Sequence, residues 1–327
     1  MPSSDQNPMS SMPSSSPVTA PSSIAGDGLR PTLAELIALR GTTVHRGQPG
    51  RGRHGLVGPV PAATRGRGME YAESREYVAG DDARHIDWRV TARTGRAHTK
   101  LFQAERERLS LIVADTSPAL FFGTRVRYKS VQAARAGAVA AWLAQRQGDR
   151  IAALRGTASE APIAPRSGQR GVLPVLDALA RWYAQPPSGD AGLEVALDHA
   201  ARLLRPGARL TVLADARSAS RISATRWSGL ALHHEVVVIV LVDPLELAPP
   251  ARALSFDVRG ERIAIDLSSQ AGRARWQAEF VAPLEQLTSV LQARGVRLHR
   301  LSTDDASDAW LSGGAAWLGG GAAARSL

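Results

Sequence analysis

At 327 residues, 44% of them hydrophobic, the chain is long enough for one large core plus an appendage. The absence of cysteine excludes disulfides, thiolate metal sites and cysteine nucleophiles and fits a reduced, cytoplasmic location. A net charge of +10 and a pI near 11 invite a nucleic-acid reading, but Lys100 and Lys129 are the only lysines, and the arginines are spread along the whole chain. With many Ala and Gly alongside, that bias reads as the codon usage of a GC-rich genome, which argues against a nucleic-acid patch.

Residues 1–28 carry nine Ser and five Pro, no Lys or Arg and no apolar run, so they are expected to be a disordered tail and not a signal peptide. No run of about 18 apolar residues follows anywhere, so no membrane partner is expected and the chain should be soluble. Residues 29–108 read as an amino-terminal extension of strands and loops. Thr32 to Leu39 predicts a short helix, Thr32 and Glu35 supplying a capping box. Gly50 to Gly55 matches G-x-G-x-x-G, but no strand precedes it and Gly58-Pro59 stops a helix from following, so a loop is the better reading.

Next comes a dense block of alternating charge from Arg75 to Arg93. Asp81, Asp82 and Asp87 face Arg75, Arg84 and Arg93, with Gly80-Asp81 as a turn signal and Trp88 as an apolar anchor. Three guanidiniums would compete with any metal for those carboxylates, so an ion-pair network docking the segment onto the sheet is the expected role.

Beyond Arg108 the pattern alternates strand and helix through residue 312. Strands are expected at Leu109–Ala114, Asp149–Leu154, Ala161–Ile163, Arg209–Ala214, Glu235–Val242 and Val296–Leu301, and helices near 129–147, 170–184, 193–204, 223–233 and 277–293. A β-hairpin insertion is expected at about 250–270, and 313–327 should be loose. Such alternation predicts an α/β fold, a doubly wound, mainly parallel sheet covered on both faces.

In such a sheet, ligands bind beyond the carboxyl ends of the strands where the connection order reverses. Asp115 and Asp215 occupy two such ends, and Ser117 follows the first. An oxygen-rich set of this kind suits Mg²⁺ or Mn²⁺, while the same residues also serve as caps of their own turns. His233-His234 are further candidate ligands, although His at a helix end more often complements the dipole. There is no H-E-x-x-H, no Walker A loop and no G-x-S-x-G elbow around Ser117.

Arg75, Tyr77, Gly80, Asp81, Asp82, Arg84, Asp87, Trp88 and Arg93 together resemble the central motif of the bacterial family catalogued as domain of unknown function 58, roughly R-x-Y-x-x-G-D-D-x-R-x-I-D-W-x-x-x-A-R. Leu111–Ser117, Gly148-Asp149-Arg150 and Val242–Glu246 agree further. The resemblance implies a von Willebrand factor A-like domain carrying a metal-ion-dependent adhesion site, and an adaptor role beside a MoxR-type AAA+ ATPase in protein maturation. On that comparison Asp115, Ser117 and Asp215 are metal ligands, whereas Ala119 and Ala191 stand near two expected hydroxyls, so metal binding should be weak or absent. The expected function is therefore a non-enzymatic protein-interaction module. The alternatives are an Arg-rich nucleic-acid binder and a metal-dependent hydrolase.

Overall fold

The computed structural model describes residues 26–44, 69–104, 108–157, 159–187, 190–258 and 260–312. Of the tail expected at 1–28, residues 1–25 lie outside them, as do the G-x-G-x-x-G loop and the carboxyl-terminal stretch from 313; residues 26–28 are described and are held in place, Gly28 O accepting the Tyr128 N–H at 2.9 Å. Two short helices, α1 (Leu33–Ala38) and α2 (Arg40–Val44), come first. Strands β1 (Met69–Glu76) and β2 (His98–Ala104) then pair antiparallel around α3 (Trp88–Thr94).

The main body holds strands β3 (Leu109–Ala114), β4 (Arg150–Arg155), β5 (Ile163–Arg166), β6 (Arg209–Asp215) and β7 (Glu235–Val242). Its helices are α4 (Lys129–Arg146), α5 (Gln169–Trp182), α6 (Gly192–Leu203), α7 (Ala216–Ser220), α8 (Ala224–His233) and α9 (Pro244–Leu247). A hairpin of β8 (Ala253–Val258) and β9 (Glu261–Asp266) precedes α10 (Gln270–Trp276), α11 (Ala282–Gln292) and β10 (Arg297–Ser302).

Six strands form one sheet in the order β10-β7-β6-β3-β4-β5, parallel except for β5. The chain runs outward from β3 through β4 and β5, then returns to the other side of β3 to lay down β6, β7 and β10. The reversal therefore falls between β3 and β6, and the mixed α/β architecture is compatible with a doubly wound fold.

Alternation along the strands explains how the sheet is covered. Ile112, Ala114, Ile151, Ala153, Leu213, Val237 and Ile239 face a core built with α1, α4 and α5. Leu111, Val113, Ala152, Leu210, Val212, Val236 and Val238 face the opposite core, with α6, α8 and α11. Successive side chains feed opposite cores, so these strands read as continuous apolar runs. Fifteen of the 18 residues of α4 are buried, which makes it a central helix. Its run of alanines and Gly137, where a Cβ would lie 2.9 Å from both Leu179 and Leu213, let it pack closely on α5 and the sheet.

Two local expectations change. Thr32 caps α1 through the Glu35 N–H at 3.2 Å, but the Glu35 carboxylate pairs with Arg135 of α4 instead of closing a capping box. Leu36 and Leu39 enter the main core, and Trp142 Nε1 donates to Leu36 O at 3.0 Å, so α1 is packed against the sheet body. The single helix expected over 277–293 is interrupted by a π turn at Gln277–Val281, just ahead of Pro283, which has no N–H to continue the α pattern.

Candidate functional site

Asp115 follows β3, Asp215 ends β6 and Asp243 follows β7, so three neighbouring parallel strands deliver carboxylates to one edge of the sheet. All three are at least 95% buried. Each is held differently, and the differences define the site.

Asp115 Oδ1 accepts the Ser117 N–H at 2.9 Å, and its Oδ2 accepts the Asp215 N–H at 3.1 Å and the Ser117 hydroxyl at 3.4 Å. The Ser218 hydroxyl in turn donates to Ser117 Oγ at 3.2 Å. These donors do not match the loss of water, and burial pushes the Asp115 carboxyl up to about 6. Asp243 has more help. It accepts Thr124 N–H (2.9 Å), Thr124 Oγ1 (2.5 Å), Leu245 N–H (3.0 Å) and Thr303 Oγ1 (2.8 Å). Burial pushes it up, but these hydrogen bonds prevail and hold it below the usual carboxylate range. Asp243 and Glu246 also form a complete capping box around α9, Glu246 Oε2 accepting the Asp243 N–H at 2.9 Å.

Asp215 accepts the Arg217 N–H at 2.9 Å, and its Oδ2 lies 2.7 Å from the ammonium of Lys129, the first residue of α4. The same ammonium lies 2.6 Å from Glu246 Oε1 and is 1% exposed. Burial opposes its charge, but Asp215 and Glu246 more than offset this and raise its pKa. Burial also pushes the Glu246 carboxyl up, partly offset by Lys129.

The structure thus brings Asp115, Ser117 and Asp215 together, as their strand ends require. A divalent cation does not fit this donor set. The Lys129 ammonium already stands on Asp215 Oδ2, beside the Arg217 N–H on Oδ1, and Asp115 accepts an N–H on each oxygen, so an entering cation would meet a fixed positive charge. Among the described residues no three His, Asp or Glu side chains converge as a metal-holding group. Ala119 lies within the 3₁₀ turn Pro118–Leu120. Ala191 N–H donates to Gly156 O at 2.7 Å, where a Cβ on Gly156 would meet Gly192 O at 2.0 Å. His233 and His234 contact each other at the end of α8.

The Arg75–Arg93 block is organised by its acids. Asp81 pairs with Arg75 at 2.6 Å and accepts the Val78 N–H at 3.0 Å, while the Tyr77 hydroxyl donates to Asp81 O at 3.1 Å. Gly80 takes φ +110° in this turn. Asp82 caps the 3₁₀ turn Ala83–His85. Asp87 accepts the Ser74 hydroxyl at 2.9 Å and caps α3 through the Arg89 and Val90 N–H groups, both at 3.2 Å. The three carboxylates therefore shape backbone turns, and the expected three-by-three ion-pair network does not form. Arg84, Arg89 and Arg93 are exposed, with no acidic partner among the described residues. Trp88 is 70% exposed and does not anchor the segment. The i, i+4 pairs Trp88/Ala92 and Arg89/Arg93 make the exposed side of α3, while Val90 and Thr91 are half-buried.

The family described as "Protein of unknown function DUF58" matches residues 73–283, which include the Arg-rich block, Asp115, Lys129, Asp215 and Glu246. The chain belongs to the DUF58 family. It is also similar to an uncharacterized protein of Mycobacterium bovis and to uncharacterized proteins of two Mycobacterium tuberculosis strains, each 31% identical over 238 residues, 71% of this chain and 72% of the relative.

Sequence reasoning gave no role in this site to Lys129, Thr124, Asp243, Glu246 and Thr303. Two signals for it were present. Asp243-Pro244-Leu245-Glu246 is a capping box with Pro at the first helical position. Lys129 is one of two lysines in a chain that otherwise uses Arg, and its ammonium is a compact point charge between two buried carboxylates.

Proposed function

We propose that the chain is a non-enzymatic protein-interaction module, built on a von Willebrand factor A-like domain, that acts as the adaptor of a MoxR-type AAA+ ATPase. The ATPase is the partner that the family resemblance implies. The observation that carries the interaction role is the outward side of the Arg-rich motif: Trp88, 70% exposed, shares α3 with the exposed Arg89 and Arg93, and Arg84 is exposed in the turn before it. Trp and Arg are the side chains that most often dominate binding energy at protein interfaces. A positively charged face of this kind suits an acidic segment on the partner.

An enzymatic reading has less support. Ser117 takes Asp115 and Ser218 as partners, a set without a general base of the histidine type. The same Trp and Arg side chains would also stack on bases, so a nucleic-acid reading is separated by experiment.

The test is affinity purification of the tagged full-length chain from a nuclease-treated lysate of its own host. Recovery of an AAA+ ATPase by the wild type, and its loss with Trp88→Ala or Arg89→Glu/Arg93→Glu, is the expected result. Recovery of nucleic acid alone from an untreated lysate, with binding that falls steeply with salt, would replace this reading with the second one.

A further inference from the structure

The carboxyl edge of the sheet buries four acidic side chains, Asp115, Asp215, Asp243 and Glu246. An ion moved out of water costs several kcal/mol unless a partner compensates it, so each must be accounted for. Asp243 is met by two N–H groups and two hydroxyls, and Asp115 by two N–H groups and a hydroxyl. Neither set carries formal charge. Asp215 and Glu246 are different, because both meet the ammonium of Lys129 at 2.7 and 2.6 Å.

The Arg217 guanidinium does not join them. It pairs with Glu279, and both of those side chains are more than 40% exposed. Lys129 itself is delivered by the connection that leaves β3, since it opens α4 directly after the loop that begins at Asp115. The strand end and the cation at the switch point thus come from one segment.

We propose that the Lys129 ammonium is the resident cation of this site, standing on Asp215 and Glu246 where a divalent ion would otherwise stand, and that the site works without metal. A metal at Asp215 would share that carboxylate with an ammonium already bound to it, and like charges so close repel strongly in a buried setting. The ammonium is enclosed, with two carboxylates on it, so it offers no open coordination position to a partner's carboxylate. This inference is independent of the adaptor reading, since it concerns only what fills the crevice.

The test uses the full-length chain stripped with EDTA, titrated with Mn²⁺ and followed by electron paramagnetic resonance and by thermal unfolding. The expected result is no stoichiometric Mn²⁺ binding by the wild type and the same Tm in EDTA, Mg²⁺ and Mn²⁺. One equivalent of Mn²⁺ bound by the wild type and lost in Asp215→Asn would overturn the proposal. This wild-type measurement decides whichever variants fold.

Lys129→Met supplies the second arm. It leaves Asp215 and Glu246 buried without a cation and is expected to lower Tm by about 6 °C or more. Neutralising both carboxylates as well, in Lys129→Met/Asp215→Asn/Glu246→Gln, should recover much of that loss, because no uncompensated charge remains. A Lys129→Met protein as stable as the wild type would also overturn the proposal.

Discussion

Two charged regions of this molecule, the carboxyl edge of the sheet and the Arg75–Arg93 block, treat their acids alike and their bases oppositely. At the carboxyl edge of the sheet, four buried acids are met by hydrogen-bond donors and one buried ammonium. In the Arg75–Arg93 block the acids are also consumed, as caps and turn formers, but Arg84, Arg89 and Arg93 stay exposed. A carboxylate accepts N–H groups from its own turn and so folds the chain locally. A long guanidinium has no such local use, and where no acid remains it faces outward. The first region is therefore closed, the second open to solvent.

The largest effect should come from opening the closed region. Asp243→Ala removes four hydrogen bonds, uncaps α9 and leaves Thr124 and Thr303 hydroxyls facing a cavity. It should cost about 3–5 kcal/mol, read as a lower denaturant midpoint, while Asp243→Asn should cost less. An Asp243→Ala protein within about 1 kcal/mol of the wild type would show that this edge does not hold the fold together.

Next in size is a pH effect at Asp115. Its carboxyl rises from an ordinary 3.8 to about 6, so the folded chain holds that proton more tightly than the unfolded chain does. Stability from this group is therefore fully present below about pH 4 and lost as pH rises to 6, after which the loss is constant. At about 1.4 kcal/mol per pH unit the difference amounts to about 3 kcal/mol. Asp115→Asn carries no such proton, so the stability difference between variant and wild type should change by that amount between pH 4 and 7. A difference that stays flat across this range would mean that the edge keeps Asp115 charged at no cost.

A smaller effect tests how the loops around the edge are fitted. Gly156→Ala drives a methyl against Gly192 O, a backbone atom that cannot swing away, and should cost about 1–3 kcal/mol. The contact fixes the Ala191 loop to the end of β4, so the same variant should loosen hydrogen-exchange protection of the Ala191 N–H. Unchanged protection would show that the loop is held by other contacts.

How far the sequence revealed all this depended on how local each cause is. Buried strands such as Glu235–Val242 announce themselves through unbroken apolar runs, and Lys129–Arg146 through its alanines and the glycine stop. Asp115 and Asp215 were legible because a strand end fixes its own carboxylate in place. Their partner was not, since Lys129 reaches Asp215 and Glu246 from 86 and 117 positions away, and no local pattern encodes that reach. The Arg-rich block failed in the opposite way. Its opposed charges suggested pairing, but short-range capping by Asp82 and Asp87 is entropically cheaper than long-range ion pairs and claimed the acids first.

The smallest stability effect carries the most functional weight. Trp88 sits on the first turn of α3, where the buried Asp87 cap turns it outward and leaves it 70% exposed. Trp88→Ala removes little buried area, so its unfolding midpoint should stay within about 0.5 kcal/mol of the wild type. Binding of a partner at this face should nevertheless fall about 30-fold or more, as expected when an interfacial Trp worth about 2 kcal/mol is truncated. Arg89→Glu/Arg93→Glu should act mainly on the association rate and on its salt dependence, because those charges steer an acidic segment toward the face. If instead Trp88→Ala unfolds more easily and Asp243→Asn abolishes binding, the assignment of the two regions is reversed, and the carboxyl edge is the one that meets the partner.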